Sequence, residues 1–242
     1  MIPKILHQFW DGPLQPPTDL MLQWQKTYTS AGWDYILWDT VKLNDLLGNR
    51  GLINQEQFDA MPEWAGKCDI ARYEILHQLG GFYVDADTRL IRILDDNLLE
   101  NSAFCCYENE FIRPGLITNG YLATEPKSKL TTTLIRRISA LKGSKLHPDY
   151  GADFTEQTIA WMTTGPKLLT ETIMDGSLRE VAILPSFYFI PNHYDKIHPA
   201  CQYTGNFVPY AESLWGSTPG SSFSYQKISK PKDMPEVYPI WS

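Results

Sequence analysis

Between positions 69 and 87 the chain places Asp69, Arg72, Asp85 and Asp87. The run Phe82-Tyr83-Val84-Asp85-Ala86-Asp87 alternates, so an extended strand puts Tyr83, Asp85 and Asp87 on one face and Phe82, Val84 and Ala86 on the other. Two carboxylates side by side at the end of an apolar strand repel each other unless a cation sits beside them. A hard divalent ion, Mn²⁺ or Mg²⁺, with a diphosphate completing its shell, resolves that repulsion. Asp69 and Arg72 present a second problem, because burying a charge is costly unless it is paired or bound. They suit either a structural ion pair at i,i+3 or a polar pocket at strand ends, where open α/β sheets bind ligands.

These residues depend on a helix and a strand. The spacing predicts a helix over Pro62–Leu79, stopped by Gly80-Gly81. At 100° per residue Lys67, Glu74, His77 and Gln78 cluster on the solvent side, while Leu76 points to the core with Asp69 and Arg72 within roughly 40° of it. Phe82 to Asp87 is then a strand. Ile2 to Trp10 reads as a buried strand ended by Asp11-Gly12-Pro13, Leu20 to Tyr28 as a helix and Tyr35 to Trp38 as a second strand. Further helices are expected over Lys129–Leu141 and Phe154–Met162, with a strand at Val181–Leu184. Strand, helix, strand at the outset predicts an α/β domain with a mostly parallel core.

The chain has 242 residues, which suits one large domain that needs no disulfide or structural metal for stability. A net charge of −7 argues against nucleic acid as a partner. Cys68, Cys105, Cys106 and Cys201 form no CxxC pair and read as reduced thiols. No signal peptide is visible and no run approaches the ~18 apolar residues of a membrane span, so a cytoplasmic protein is expected, with peripheral membrane association open.

Three ordered blocks carry a family resemblance: Ile2-Pro3-Lys4-Ile5-Leu6-His7-Gln8-Phe9-Trp10, Asp69-Ile70-Ala71-Arg72-Tyr73-Glu74-Ile75-Leu76 and Gly80-Gly81-Phe82-Tyr83-Val84-Asp85-Ala86-Asp87. They resemble glycosyltransferase family 32, the sugar transferases with a DXD motif, and the glucosyltransferase domain of the large clostridial cytotoxins. Thr164-Gly165-Pro166 and Tyr210-Ala211-x-x-x-Trp215 are similar to the family's later blocks. The resemblance implies a GT-A (Rossmann-like) fold with a central mixed, mostly parallel sheet flanked by helices. Residues 1–110 would be mainly the nucleotide-sugar half, and 111–242 mainly the acceptor half with a covering C-terminal segment.

It also implies roles. Asp87 would coordinate the metal that bridges the diphosphate, and Asp85 would meet the ribose and sugar side. Asp69 and Arg72 would hold the donor sugar's hydroxyls, and Trp10 would stack on uracil, with Gln8, Tyr83, Asn119 and Trp215 also at the donor. Many relatives carry a histidine after Tyr-Ala; this chain has Glu212 and Ser213 there, which could offer oxygen to the metal instead. The implied reaction is metal-assisted transfer of a hexose from a nucleotide-sugar, UDP-hexose favoured because of Trp10, to a saccharide or glycolipid hydroxyl, with retention of configuration.

Other readings compete. Trp10 alone would pass for a core tryptophan, and the aromatic tail from Tyr203 to Trp241 suits packing as well as acceptor stacking. His193, Asp195 and His198 match no familiar zinc spacing and suit an acceptor-side loop. Asp153 and Glu156 fit the start of a helix by charge alone. A phosphatase of the haloacid-dehalogenase type also uses Asp-x-Asp, but on the first strand of its domain, whereas 84 residues precede Asp85 here. A donor-binding module without turnover is the non-catalytic alternative.

Overall fold

The computed structural model describes residues 1–47, 51–141, 157–194 and 199–216. In chain order the elements are β1 (Ile5–Phe9), α1 (Thr18–Ser30), β2 (Asp34–Trp38), α2 (Thr40–Leu47), α3 (Gln55–Ala60), α4 (Trp64–Leu79), β3 (Gly81–Val84) and β4 (Thr88–Leu90). They continue with β5 (Ala103–Asn109), β6 (Arg113–Thr124), α5 (Lys129–Ser139), α6 (Gln157–Thr163), α7 (Pro166–Met174), β7 (Val181–Leu184) and β8 (Ala211–Ser213). Six strands form one mixed sheet in the order β2-β1-β3-β6-β5-β7. Only β6 runs against its neighbours; the other pairings are parallel. β4 and β8 form a separate antiparallel ribbon.

The sheet separates two cores, and β3 divides its side chains between them as its alternation requires. Phe82 and Val84 pack with Trp24 and Tyr28 of α1, Phe104, Phe189 and Tyr210. Tyr83 packs with Ile70 and Ile75 of α4, Leu134 of α5 and Leu169 of α7. Ser128 caps α5 by accepting from Thr131 N at 3.2 Å, and Pro166 opens α7, where a missing N–H costs nothing. Tyr188, Phe207 and Tyr210 stack against one another, so this part of the C-terminal segment wraps the sheet as an aromatic strap. Phe223, Tyr225, Tyr238 and Trp241 lie outside the described residues, as do Asp153, Glu156, Asp195 and His198.

Three expectations need correction. Glu74 does not face solvent: it is fully buried, and its Oε1 accepts from Asn54 N at 2.9 Å. Helix α4 is covered by the sheet on one side and by α3, α5 and α6 on the others, so it has almost no outer face. The strand expected over 82–87 stops at Val84, and Ala86-Asp87 is a turn. The long hairpin of β5 and β6 went unread, because strands buried on both faces show no alternation. The four cysteines are free thiols. No helix among the described residues is long and apolar enough to cross a membrane.

His7 joins the first strand to the helix stop. Its Nε2 donates to Gly80 O at 2.8 Å, and its Nδ1 accepts from the Trp38 indole at 3.1 Å, which fixes a neutral tautomer. Gly81, at φ +103°, admits this ring: a Cβ there would lie 2.8 Å from Nε2 and 2.5 Å from Ile5 O. Burial lowers the His7 pKa from 6.5 to about 4, against the opposing pull of the Gly80 carbonyl. The unfolded chain therefore takes up a proton that the folded one refuses. That contribution is complete above pH 6.5 and is lost as the pH falls towards 4, about 3 kcal/mol in all. Urea unfolding at pH 7 and pH 4 should show wild type losing about 3 kcal/mol more than His7→Gln. Equal losses would remove His7 from the pH dependence.

Candidate active site

The carboxyl ends of β1, β3 and β5 lie along one edge of the sheet, and antiparallel β6 begins there. Arg72 of α4 reaches this edge. Its Nη2 lies 3.1 Å from Asp69 Oδ1 and 3.1 Å from Asp85 Oδ1, while Nη1 donates to Asn119 O at 2.6 Å. The guanidinium also lies over the Tyr83 ring at 4.6 Å. Asn119 Nδ2 donates to Asp69 Oδ1 at 2.7 Å, and Thr164 Oγ1 donates to Asp69 Oδ2 at 3.1 Å. Tyr73 donates from its hydroxyl to Thr164 O at 3.0 Å. Asp69, Arg72, Tyr83, Asp85 and Asn119 thus converge on one network.

The environment differs sharply within it. The side chains of Asp69 and Arg72 are 7% and 4% exposed, whereas that of Asp85 is 38% exposed. Burial pushes the Asp69 carboxyl up to about 6, with Arg72 opposing it. Burial also works against the Arg72 charge, but Asp85, Tyr83 and Asp69 outweigh it and hold the guanidinium firmly protonated. Two glycines make the space. A Cβ on Gly120 would lie 2.5 Å from Asp85 Oδ2, and one on Gly165 would lie 3.1 Å from Asp69 Oδ2. Sequence reasoning missed Gly120 and Tyr73; a glycine inside a strand, directly after Asn119, is the signal of close approach that was available.

Asp87 sits apart from this network, in the turn before β4. Its carbonyl accepts from Leu214 N at 3.0 Å and its Oδ2 from Gly216 N at 2.7 Å. The strap therefore grips Asp87 on both sides of Trp215, which adopts φ +57°. A bulky residue in that region is a true outlier and costs ~1–3 kcal/mol, offset by what surrounds it. Here the indole donates to Asn192 O at 3.3 Å and its ring packs on His193 and Tyr194. Glu212 pairs with Arg89 at 2.9 Å and accepts from Asn192 Nδ2 at 2.7 Å, so both its oxygens are engaged. Ser213 is half-buried and stands opposite Thr88 in the ribbon.

On β1, Trp10 is half-buried just beyond the strand, its indole donating to Leu14 O at 3.1 Å. Gln8 is fully buried and accepts from the Tyr35 hydroxyl at 2.8 Å; among the described residues its Nε2 has no partner. His193, expected on an acceptor-side loop, is buried against Glu108 at 3.2 Å. Among the described residues no three His, Cys, Asp or Glu side chains group as a metal site by themselves.

The family described as "Glycosyltransferase sugar-binding region containing DXD motif" matches residues 17–105, a span that includes Asp69, Arg72, Asp85 and Asp87. Over that span the chain is similar to this family. Two curated relatives are from Schizosaccharomyces pombe. Inositol phosphoceramide mannosyltransferase 1 is 27% identical over 177 residues, 70% of this chain and 50% of the relative. Inositol phosphoceramide mannosyltransferase 3 is 30% identical over 218 residues, 88% of this chain and 56% of the relative. The chain spans about half the length of these relatives. The solved structure of the PaToxG glycosyltransferase shares the fold, with a TM-score of 0.51 at 12% identity over 73% of this chain and 70% of that one. The architecture is therefore that of the GT-A fold.

Arg72 holds two carboxylates of the matched region, so its removal leaves an uncompensated buried charge at Asp69. Arg72→Ala should cost roughly 3–5 kcal/mol in urea unfolding at pH 7. Asp69→Asn, which retains polar contacts and removes the buried charge, should cost clearly less. A cost below about 1 kcal/mol for Arg72→Ala would mean that the pair is solvated and contributes little.

Proposed function

We propose that the chain transfers a hexosyl group from a nucleoside diphosphate sugar to an acceptor hydroxyl. The observation that carries this reading is the Arg72 contact to both Asp69 and Asp85 at the carboxyl edge of the sheet. An acid and a base held together offer acceptors and donors suited to vicinal hydroxyls of a sugar. Held rigidly, they orient the donor so that remote binding contributes to cleavage of the anomeric bond. A base stacked on the Trp10 indole would add ~1–3 kcal/mol. That stacking favours UDP-hexose, while the named activity of the S. pombe relatives favours a mannosyl donor and a glycolipid acceptor.

The residues fit a divalent cation. Asp69, Asp85 and Asp87 against Arg72 leave two negative charges, and Gly120 keeps clear the space beside Asp85 Oδ2. Asp87 would hold Mn²⁺ or Mg²⁺ together with diphosphate oxygens, and Asp85, on the Arg72 network, would face the sugar side. Such an ion neutralises charge on the leaving diphosphate. Ser213 remains the candidate for a further oxygen, since Glu212 is engaged by Arg89 and Asn192. Asp69 and Asp85 are both held by Arg72, which favours front-face substitution with retention over attack by a protein nucleophile.

Nucleotide release from a panel of UDP- and GDP-sugars, with and without Mn²⁺, tests the proposal. Slow Mn²⁺-dependent hydrolysis of one donor is expected, reduced roughly 100-fold or more in Asp87→Ala. No release from any donor, together with no nucleotide binding, would sink it. Donor KM should also rise as the pH falls through about 6, because protonated Asp69 loses an acceptor site, and Asp69→Asn should flatten that dependence. A pH-independent donor KM in wild type would separate Asp69 from donor binding.

A further inference from the structure

Beyond the acid–base network, the rim of the same edge carries Trp161, Arg113, Tyr194 and Trp215. All four are half-buried, and the Arg113 side chain is 37% exposed. They form a connected row. The Arg113 guanidinium lies 5.9 Å from the Trp161 ring centroid and donates from Nη2 to the Tyr194 hydroxyl at 2.8 Å. Tyr194 packs edge-on against Trp215, with centroids 4.9 Å apart. Both ends of the row touch the site already described. The Cβ position of Gly165 lies 3.2 Å from Trp161 Cα and 3.1 Å from Asp69 Oδ2, and Trp215 is followed by Gly216, whose amide holds Asp87.

The row rests on a buried charge. Glu108, its side chain 7% exposed, lies 3.1 Å from Arg113 Nε and 3.2 Å from His193 Nε2. His193, fully buried, stacks under Tyr194 at 4.5 Å and meets Trp215 at 5.0 Å. A carboxylate buried beneath aromatic rings that stay half-exposed is expensive for a surface that binds nothing. Rings fixed in this way present apolar faces with polar edges, suited to the C–H face of a cyclic polyol whose hydroxyls point outward to polar partners.

We propose that Trp161, Arg113 and Tyr194 form the acceptor subsite, and that it takes a cyclic polyol, pyranose or cyclitol, stacked by its C–H face. This rests on the transferase reading above, which places the donor sugar at Asp69 and Arg72. Glu108 and His193 are positioning residues that hold the row without touching the acceptor.

Saturation-transfer NMR with methyl α-mannopyranoside and with myo-inositol, in the presence of UDP and Mn²⁺, tests the subsite without requiring turnover. Wild type should transfer saturation to the ring C–H protons of at least one polyol, and the preferred probe separates pyranose from cyclitol. Trp161→Ala and Tyr194→Ala should each weaken polyol binding about tenfold and leave UDP affinity within about twofold. Tyr194→Phe, which keeps the ring, should bind as wild type within about threefold. No saturation of either polyol in wild type would overturn the proposal, as would equal loss of UDP and polyol binding in both variants. Saturated polyols with neither donor release nor nucleotide binding would overturn the transferase reading and leave the polyol site standing.

Discussion

A single guanidinium, that of Arg72, lies between Asp69 on its own helix and Asp85 at the end of the neighbouring strand. Both partners of the Arg72–Asp69 pair are nearly buried, so the contact is stable only if the remaining donors and acceptors are met. Asn119 supplies both a carbonyl to Arg72 and an amide to Asp69, and Thr164 supplies a hydroxyl. Those residues come from β6 and from the turn between α6 and α7, so elements distant in sequence are fixed by one charge. The antiparallel placement of β6 beside β3 is what allows this.

The second aspartate has a different anchor, and the difference is informative. Asp85 is held from beneath by the sheet and α4, whereas Asp87 is held from above by the strap. Because Leu214 and Gly216 grip the same residue, the chain between them must reverse sharply, and Trp215 takes the left-handed backbone that this requires. Asp87 is therefore coupled to Leu214 and Gly216 through their backbone amides, independent of side-chain identity at 214 or 216 except for space. Side chains in the strap are left to make other contacts, and Glu212 and Trp215 do so.

Much of this was legible in the sequence where one rule acted alone. Gly80-Gly81 stops α4, β7 has the predicted bounds, and the Asp69–Arg72 spacing points both side chains inward. Failures occurred where tertiary context overrode periodicity. Glu74 lies on the polar side of a helical wheel, yet α3 and α5 cover that side and Asn54 meets its charge. The alternation through Asp87 continued the pattern of β3 past Val84, where the chain instead leaves the sheet in a turn that leads into β4. Glu108, Arg113 and His193 could not be connected from sequence, since their contact depends on a hairpin with no alternation and on a loop 85 positions beyond Glu108.

The two halves of the site are built from different material, and this bears on how specificity is divided. The donor end stands on α4, β3 and β6, where a displaced side chain would disturb the sheet itself. The acceptor row stands on Arg113 at the start of a strand, Trp161 on a short helix and Tyr194 in a loop, all steadied by the one carboxylate of Glu108. Loops and element ends tolerate replacement far better than a packed sheet edge. A change of acceptor therefore needs only new side chains on the rim, provided that the Glu108 charge stays paired. A change of donor must be accommodated around Arg72 without opening its buried network, which constrains that half of the chemistry much more tightly.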